Sequence, residues 1–237
     1  MSQKANRVEQ PVIVAAPSRS LPWIALRALG RRKIALIGAF LVAGNVLIAV
    51  TAPALARRNP QALEIQARLL APTRIHWFGT DDLGRDVWSR VVHGARLSML
   101  VGGSVVLVSV SGGLVFGLLA GYYRKLDNLL MRVMDGLMAF PGIILAIALM
   151  ASLGPSVRNV IAALGIVYIP RVARLVRGSV LVVRETAYVE AARALGIPDP
   201  MILLRHVLPN CLSPVIVQGT LIFAAAVLGE AALSLIH

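Results

Sequence analysis

Charge is scarce in this chain, and cysteine is almost absent. Of 237 residues, 15% are charged, 5% are aromatic and one is cysteine, while 57% are hydrophobic. A soluble domain carries about 25% charged and about 45–50% apolar residues, and an apolar excess this large cannot be hidden in one core of this size. The same figures exclude a disordered chain, a collagen-like fibre and a small disulfide scaffold. The lone Cys211 cannot form an internal bridge, and no Cys/His cluster has metal-ligand spacing. There is also no glycine-rich GxxxxGK[ST] phosphate loop, no HExxH and no nucleophile triad, so no catalytic residue or cofactor is expected in the chain itself. Acidic residues are few: 11 Asp and Glu stand against 24 Lys and Arg, a net charge of +13. On a soluble protein that balance would point to nucleic acid. Here the basic residues stand between long apolar runs, and the partner is a membrane.

A helix needs about 20 apolar residues to cross about 30 Å of hydrocarbon, because lipid cannot satisfy backbone polar groups. Four uncharged stretches meet that length: Ile34–Ala56, Leu97–Tyr123, Gly136–Val157 and His206–Gly229. Pro209 and Pro214 predict that the last span starts several residues in. A fifth candidate, 159–181, carries Arg171, Arg174 and Arg177 at i, i+3, i+6, on roughly one helical face. Charge at mid-bilayer is costly, so these arginines should lie at the cytoplasmic mouth or face protein. The alternative is an amphipathic helix lying on the membrane surface. The expectation is an all-α polytopic membrane helix bundle with five transmembrane helices.

With five spans, sixteen Lys and Arg fall on one side and eight on the other. The positive-inside rule then places the N-terminus and the 171–212 segment in the cytoplasm. Residues 1–33 read as a basic cytoplasmic arm, with Pro11, Pro17 and Pro22 opposing a long helix. Ala54-Leu55-Ala56 resembles a signal-peptidase site, but the basic region and apolar run before it are too long for a cleaved signal, so 34–56 is an uncleaved first transmembrane helix. Residues 57–96 form an external loop. Its first part, 57–72, is undistinguished. Its second part contains Gly79-Thr80-Asp81-Asp82-Leu83-Gly84-Arg85-Asp86, dense in turn formers, ahead of a stretch with helical spacing. Asp81, Asp82 and Asp86 lack the EF-hand spacing, and a hydrogen-bonded turn capping the next helix is preferred to a calcium site. Gly113, Gly117 and Gly121 repeat every four residues and lie on one helical face, where a neighbouring helix can approach closely. Residues 97–237 make up the remaining core.

The cytoplasmic stretch 184–210 divides into two short helices. Thr186 can cap the first, about 187–195, and Gly196 can end it in the left-handed conformation. Asp199 is a suitable N-cap and Pro200 a suitable first-turn residue for the second, 200–207, which Pro209 stops. Ala191, Ala192 and Ala194 offer a low-profile surface for a groove, with Glu190 and Arg193 beside it. This is a partner-docking element, or else an amphipathic turn on the membrane.

Glu190-Ala191-Ala192, Gly196 and then His206-Val207-Leu208-Pro209 resemble the EAA signature of ABC importer permeases. His206, where the general pattern has Ile, is similar to the peptide and nickel branch. The loop from Gly79 to Asp86 resembles the external signature of the same branch in its C-type permease subunit. The resemblance implies a type I ABC importer permease of the bacterial inner membrane, covering about residues 22–237. It further implies a homologous second permease subunit, two cytoplasmic ABC ATPases that bind ATP and Mg, and an extracytoplasmic substrate-binding protein. Glu190, Ala191, Ala192, Gly196, His206, Leu208 and Pro209 would couple to an ATPase. Dipeptides, oligopeptides and nickel complexes are all candidate cargo. His76, His93, His206 and His237 are scattered, so no metal site is expected, although a nickel cargo would make them candidates.

Permeases of this branch have six spans, and this chain stops at Leu233-Ser234-Leu235-Ile236-His237, where the stretch before the sixth would begin. The expectation is a chain lacking its last helix, and the alternative to a working subunit is a truncated remnant that inserts without assembling. A secondary transporter would need ionisable residues at mid-membrane, and the four long uncharged stretches offer none.

Overall fold

The structure is a computed structural model that describes residues 33–56 and 58–234. The expected arm, apart from Lys33, lies outside the described residues, as do Arg57, Leu235, Ile236 and His237. Every regular element among the described residues is helical, and the only sheet-like pairing there is an isolated bridge between Thr80 and Asp86. The chain divides into two units, 1–47 and 48–237.

Helix α1 (Lys33–Leu55) starts in the first unit and ends in the second. In its first part Asn45 Nδ2 donates to the Leu41 carbonyl at 3.0 Å, which ties a polar side chain back to its own helix. In the second unit Ala49 and Ala52 are buried, and the Leu55 carbonyl accepts from Trp88 Nε1 at 3.1 Å. Residues 58–86 form a loop containing one 3-10 turn, Ile65–Ala67. Helix α2 (Val87–Tyr122) has 36 residues, which at about 1.5 Å per residue is longer than a membrane crossing requires.

Two differences from the sequence expectation follow α2. The uncharged stretch Gly136–Val157 is not one continuous helix. Helix α3 (Arg124–Met138) and helix α4 (Gly142–Leu153) meet at a bend of 90°. Pro141 lacks an N–H and disfavours helical geometry at Phe140 before it, so the ladder breaks there. The 12 residues of α4 extend about 18 Å, too short to cross alone. Conversely, the charged fifth candidate is a continuous helix, α5 (Val157–Val183), of 27 residues. Acidic residues of α3 meet two of its arginines, Arg174 with Asp135 at 2.6 Å and Arg177 with Asp127 at 2.5 Å, while Arg171 lies over the Tyr168 ring at 5.4 Å.

Helix α6 (Ala187–Ala194) is short, and helix α7 runs from Asp199 to Ser234. Pro209 does not stop α7 as the sequence suggested. The turn Leu203–Val207 just before it is π-helical, with the Leu208 N–H reaching back to the Leu203 carbonyl. Widening the ladder there accommodates a residue that cannot donate and whose ring would crowd the preceding turn. The helix then continues through Pro214 as well. Among the described residues four helices are long and apolar enough to cross a membrane, and the bent α3–α4 pair makes up to five.

The core lies where α2, α5 and α7 pack together. Gly113, Gly117 and Gly121 of α2 face Val172, Val176 and Val180 of α5, and a Cβ on any of the three would lie within 2.6 Å of a valine side chain. Gly165 of α5 returns the relation, with Val108 of α2 standing where its Cβ would be. Matched glycine and valine at four-residue spacing allow two backbones to approach closely and fill the gap with rigid side chains, which is what drives helix association where apolar burial gains nothing.

Candidate functional site

Two segments carry the sequence-singled residues, one at each end of α2. At its N-terminal end the Gly79–Asp86 turn is organised around three buried polar side chains: His76, Thr80 and Asp86. The Asp86 carboxylate caps α2 by accepting from the Ser89 N–H at 2.9 Å, while its other oxygen accepts from His76 Nδ1–H at 3.0 Å. Burial opposes ionisation of Asp86, but its bonds to Ser89 and His76 outweigh it and hold the carboxyl below the usual carboxylate range. Asp81 accepts from the N–H groups of Leu83 and Arg85, both at 2.9 Å, from Arg85 Nε at 2.8 Å, and from Arg90. Burial again works against its charge, and these donors override it to pull the Asp81 carboxyl far below its ordinary value.

Thr80 and two glycines close the turn. The Thr80 hydroxyl donates to the Ala67 carbonyl and accepts from the Leu70 N–H at 2.9 Å. Gly79 and Gly84 have φ near +75°, and a Cβ on Gly84 would lie 1.9 Å from the Glu64 carbonyl oxygen. The stretch 57–72, undistinguished in sequence, is therefore the other wall of this turn. Leu69 there is held at φ 52° by its N–H bond to the Asp81 carbonyl. Asp82 is exposed, Asp81 is engaged by arginines and Asp86 by a histidine, so the three carboxylates point to different partners. Among the described residues no group of three or more His, Cys, Asp or Glu could hold a metal ion. His93 bonds the Ser89 carbonyl at 3.1 Å, well away from His206 in α7.

At the other end of α2 lies the 184–210 segment. Helix α6 ends in a Schellman motif: the Ile197 N–H reaches the Ala192 carbonyl at 3.1 Å, and the Gly196 N–H reaches the Arg193 carbonyl at 2.9 Å. Gly196 takes φ +75°, as such a motif requires, and open space surrounds it. Thr186 occupies the N-cap position, but its hydroxyl donates to the Val183 carbonyl at 2.6 Å instead of capping. Asp199 is the first residue of α7 and not its cap. Its carboxylate accepts from the Tyr122 hydroxyl at 2.6 Å and pins the start of α7 to the end of α2. Arg184 donates to the Gly121 carbonyl at 2.8 Å, satisfying an orphan acceptor in the last turn of α2. The Arg193 guanidinium stacks over Tyr122 at 5.2 Å.

The three-residue signature divides between two faces. Ala192 is buried with Val189, and behind them Ile202, Leu203 and Val207 enter the core. Glu190 and Ala191 are exposed, and the Glu190 carboxylate makes no bond among the described residues. Leu195 is 81% exposed and Tyr188 46%, and neither was singled out from sequence. A leucine immediately before the helix-ending glycine was the available signal. His206 and Leu208 are half-buried, while Pro209 is exposed. Asn210 Nδ2 joins the Tyr188 hydroxyl at 3.2 Å and the His206 carbonyl at 2.7 Å, tying α6 to α7. The result is a short helix braced from behind, with a small unpaired face turned outward.

Residues 113–237 match the family described as "Binding-protein-dependent transport system inner membrane component". The chain is 50% identical over 208 residues to a peptide transport system permease protein of Brucella suis, covering 88% of this chain and 70% of that protein. It is 44% identical over 214 residues to a dipeptide transport system permease protein of Alkalihalophilus pseudofirmus, covering 90% of this chain and 70% of that one. Against a glutathione transport system permease protein of Pectobacterium atrosepticum it is 44% identical over 164 residues, covering 69% and 54% respectively.

Proposed function

Because the chain belongs to the family of binding-protein-dependent transport system inner membrane components, the permease subunits of importers, we propose that it conducts peptides or related small solutes and converts ATPase closure into alternating access. It is a multi-pass inner membrane protein, and its chemistry is conduction, with ATP hydrolysis assigned to partner subunits. The relatives' names favour peptides as cargo over nickel complexes. The positive-inside rule puts the 184–210 segment in the cytoplasm and the Gly79–Asp86 turn outside.

The observation that carries the reading is α6. A helix of eight residues is marginal on its own, yet this one is locked at its end by a Schellman motif, behind by Val189 and Ala192, and at its flanks by Asn210 and Arg193. Its outward face, Glu190, Ala191 and Leu195, suits a shallow groove on a cytoplasmic ATPase. Closure of the ATPase pair on ATP favours one of two permease conformations through differential affinity, and the Arg193–Tyr122 and Tyr188–Asn210 contacts pass displacement of α6 to α2 and α7. The expected partners are a second, homologous permease subunit, two ATPases and an extracytoplasmic binding protein.

The test is co-purification from a membrane expressing all the subunits. Tagged chain should retain the ATPases and show peptide-stimulated ATP hydrolysis in proteoliposomes. Retention of neither ATPase, with the chain inserted, would sink the reading.

A further inference from the structure

Seven residues of α3 and α5 enclose an open cavity of about 680 Å³: Asp127, Asn128, Met131, Arg132 and Asp135 from the first, Arg174 and Arg177 from the second. The volume lies within the roughly 300–1,000 Å³ typical of small-molecule sites. Arg174 stands nine residues before the end of α5, about 14 Å along a helix of 27 residues. Ionisable groups clustered on a helix long and apolar enough to cross a membrane mark pathways more often than scaffolding.

The two ion pairs in the cavity differ in kind. Arg177 grips Asp127 with two parallel bonds of 2.5 and 2.7 Å, and both side chains are largely covered. That bidentate pair fastens α3 to α5. Arg174 and Asp135 share a single bond of 2.6 Å, and their side chains are 52% and 62% exposed. An exposed single-bonded pair contributes at most about 1 kcal/mol, so exchange of partners is easy. Arg132, beside them, makes no ion pair among the described residues.

We infer that this cavity is a station for the two charged ends of a peptide, with the Arg174–Asp135 pair holding the place of the cargo. The peptide carboxylate takes Arg174 and Arg132, and the released Asp135 carboxylate takes the peptide ammonium. One weak pair is exchanged for two, and the net charge of the cavity is unchanged. Peptides, dipeptides and glutathione, the cargoes in the relatives' names, share an ammonium and a carboxylate while their side chains differ. Fixed charges for the ends, beside the adaptable Met131, meet that demand. The inference rests on the peptide-importer reading and adds to it the place and polarity of binding.

The test uses the assembled transporter without its binding protein, with Asn128→Cys as a reporter at the cavity wall. Native Cys211 is buried, so the reporter is the reactive thiol of this chain. Maleimide modification is read by mass spectrometry of this chain. L-Alanyl-L-alanine should slow it about twofold at a concentration equal to its Kd, and more above that. N-acetyl-alanyl-alanine amide, which has neither charge, should not. Asp135→Asn and Arg174→Gln should each abolish protection while the subunits still co-purify. Equal protection by the blocked peptide, protection that survives both substitutions, or no protection at all overturns the inference, as does a thiol that is shielded by another subunit before peptide is added. Uptake of dipeptide by the complete wild-type system without protection discards this site alone. Absence of uptake discards the peptide-importer reading itself.

Discussion

The two segments at the ends of α2, the 58–86 loop and the 184–210 segment that runs into α7, are built on opposite principles. The 58–86 loop turns its polar side chains inward: Thr80, Asp81 and Asp86 are consumed by backbone N–H groups, His76 and two arginines. The 184–210 segment turns apolar side chains inward, with Val189, Ala192, Ile202, Leu203 and Val207 buried, and leaves the Glu190 carboxylate outside. Their glycines differ in the same way. Gly84 has positive φ and a carbonyl pressed against it, whereas Gly196 has positive φ and empty space. A segment whose polar groups are internally satisfied offers little to a partner. One that is anchored by apolar contacts keeps its polar and small residues free for one.

That contrast can be broken by substitution. The largest effect on stability is expected for Gly84→Ala, which combines an unfavourable φ with a collision against backbone and should cost the loop about 2–4 kcal/mol. Protease sensitivity at 58–86 in proteoliposomes reads it, and an unchanged digestion pattern would show that the loop yields elsewhere. Asp86→Ala removes the cap of α2 and strands buried His76, for about 1–2 kcal/mol by the same assay.

Acid sharpens the contrast without mutation. The depressed carboxyls of Asp81 and Asp86 contribute stability that is full above their unfolded values of about 4, and it is lost as pH falls through the lower folded values. The loop should therefore open in acid, as hydrogen exchange at 58–86 would reveal. Gly196→Ala meets no neighbour and should cost only about 1 kcal/mol, all of it conformational, but it tilts α6 and lowers ATPase coupling. Glu190→Lys should change stability least, within about 0.5 kcal/mol. Its effect should appear in ATPase retention, down about tenfold if Glu190 meets a complementary groove. Loss of insertion instead would assign Glu190 to the fold.

Legibility in sequence tracked the range of the interactions involved. Turns depend on neighbours a few residues away, so a hydrogen-bonded turn capping α2 and the left-handed Gly196 were readable, though not that Asp86 is the capping residue. The glycine stripe was readable as a close-packing face, though not its valine counterpart on α5. The division of Glu190-Ala191-Ala192 between two faces was hidden, because it depends on what packs behind α6. Asp199 looked like a cap and instead receives the Tyr122 hydroxyl, 77 residues away. Leu69 and the wall it forms had no sequence signal, since its backbone is set by hydrogen bonds to residues 80 and 81.

By itself the sequence determined that this is a helical membrane protein, because hydropathy adds up residue by residue and needs no partner. It determined which short segments are special, through glycine, proline and carboxylate placed at local spacings. Tertiary structure alone decided that the most apolar-looking middle span is bent and the charged one a continuous helix. An arginine-bearing helix is costly in lipid until Asp127 and Asp135 arrive from 50 and 39 residues away to meet it. An uncharged stretch gains nothing from staying straight once Pro141 has removed a donor from its ladder.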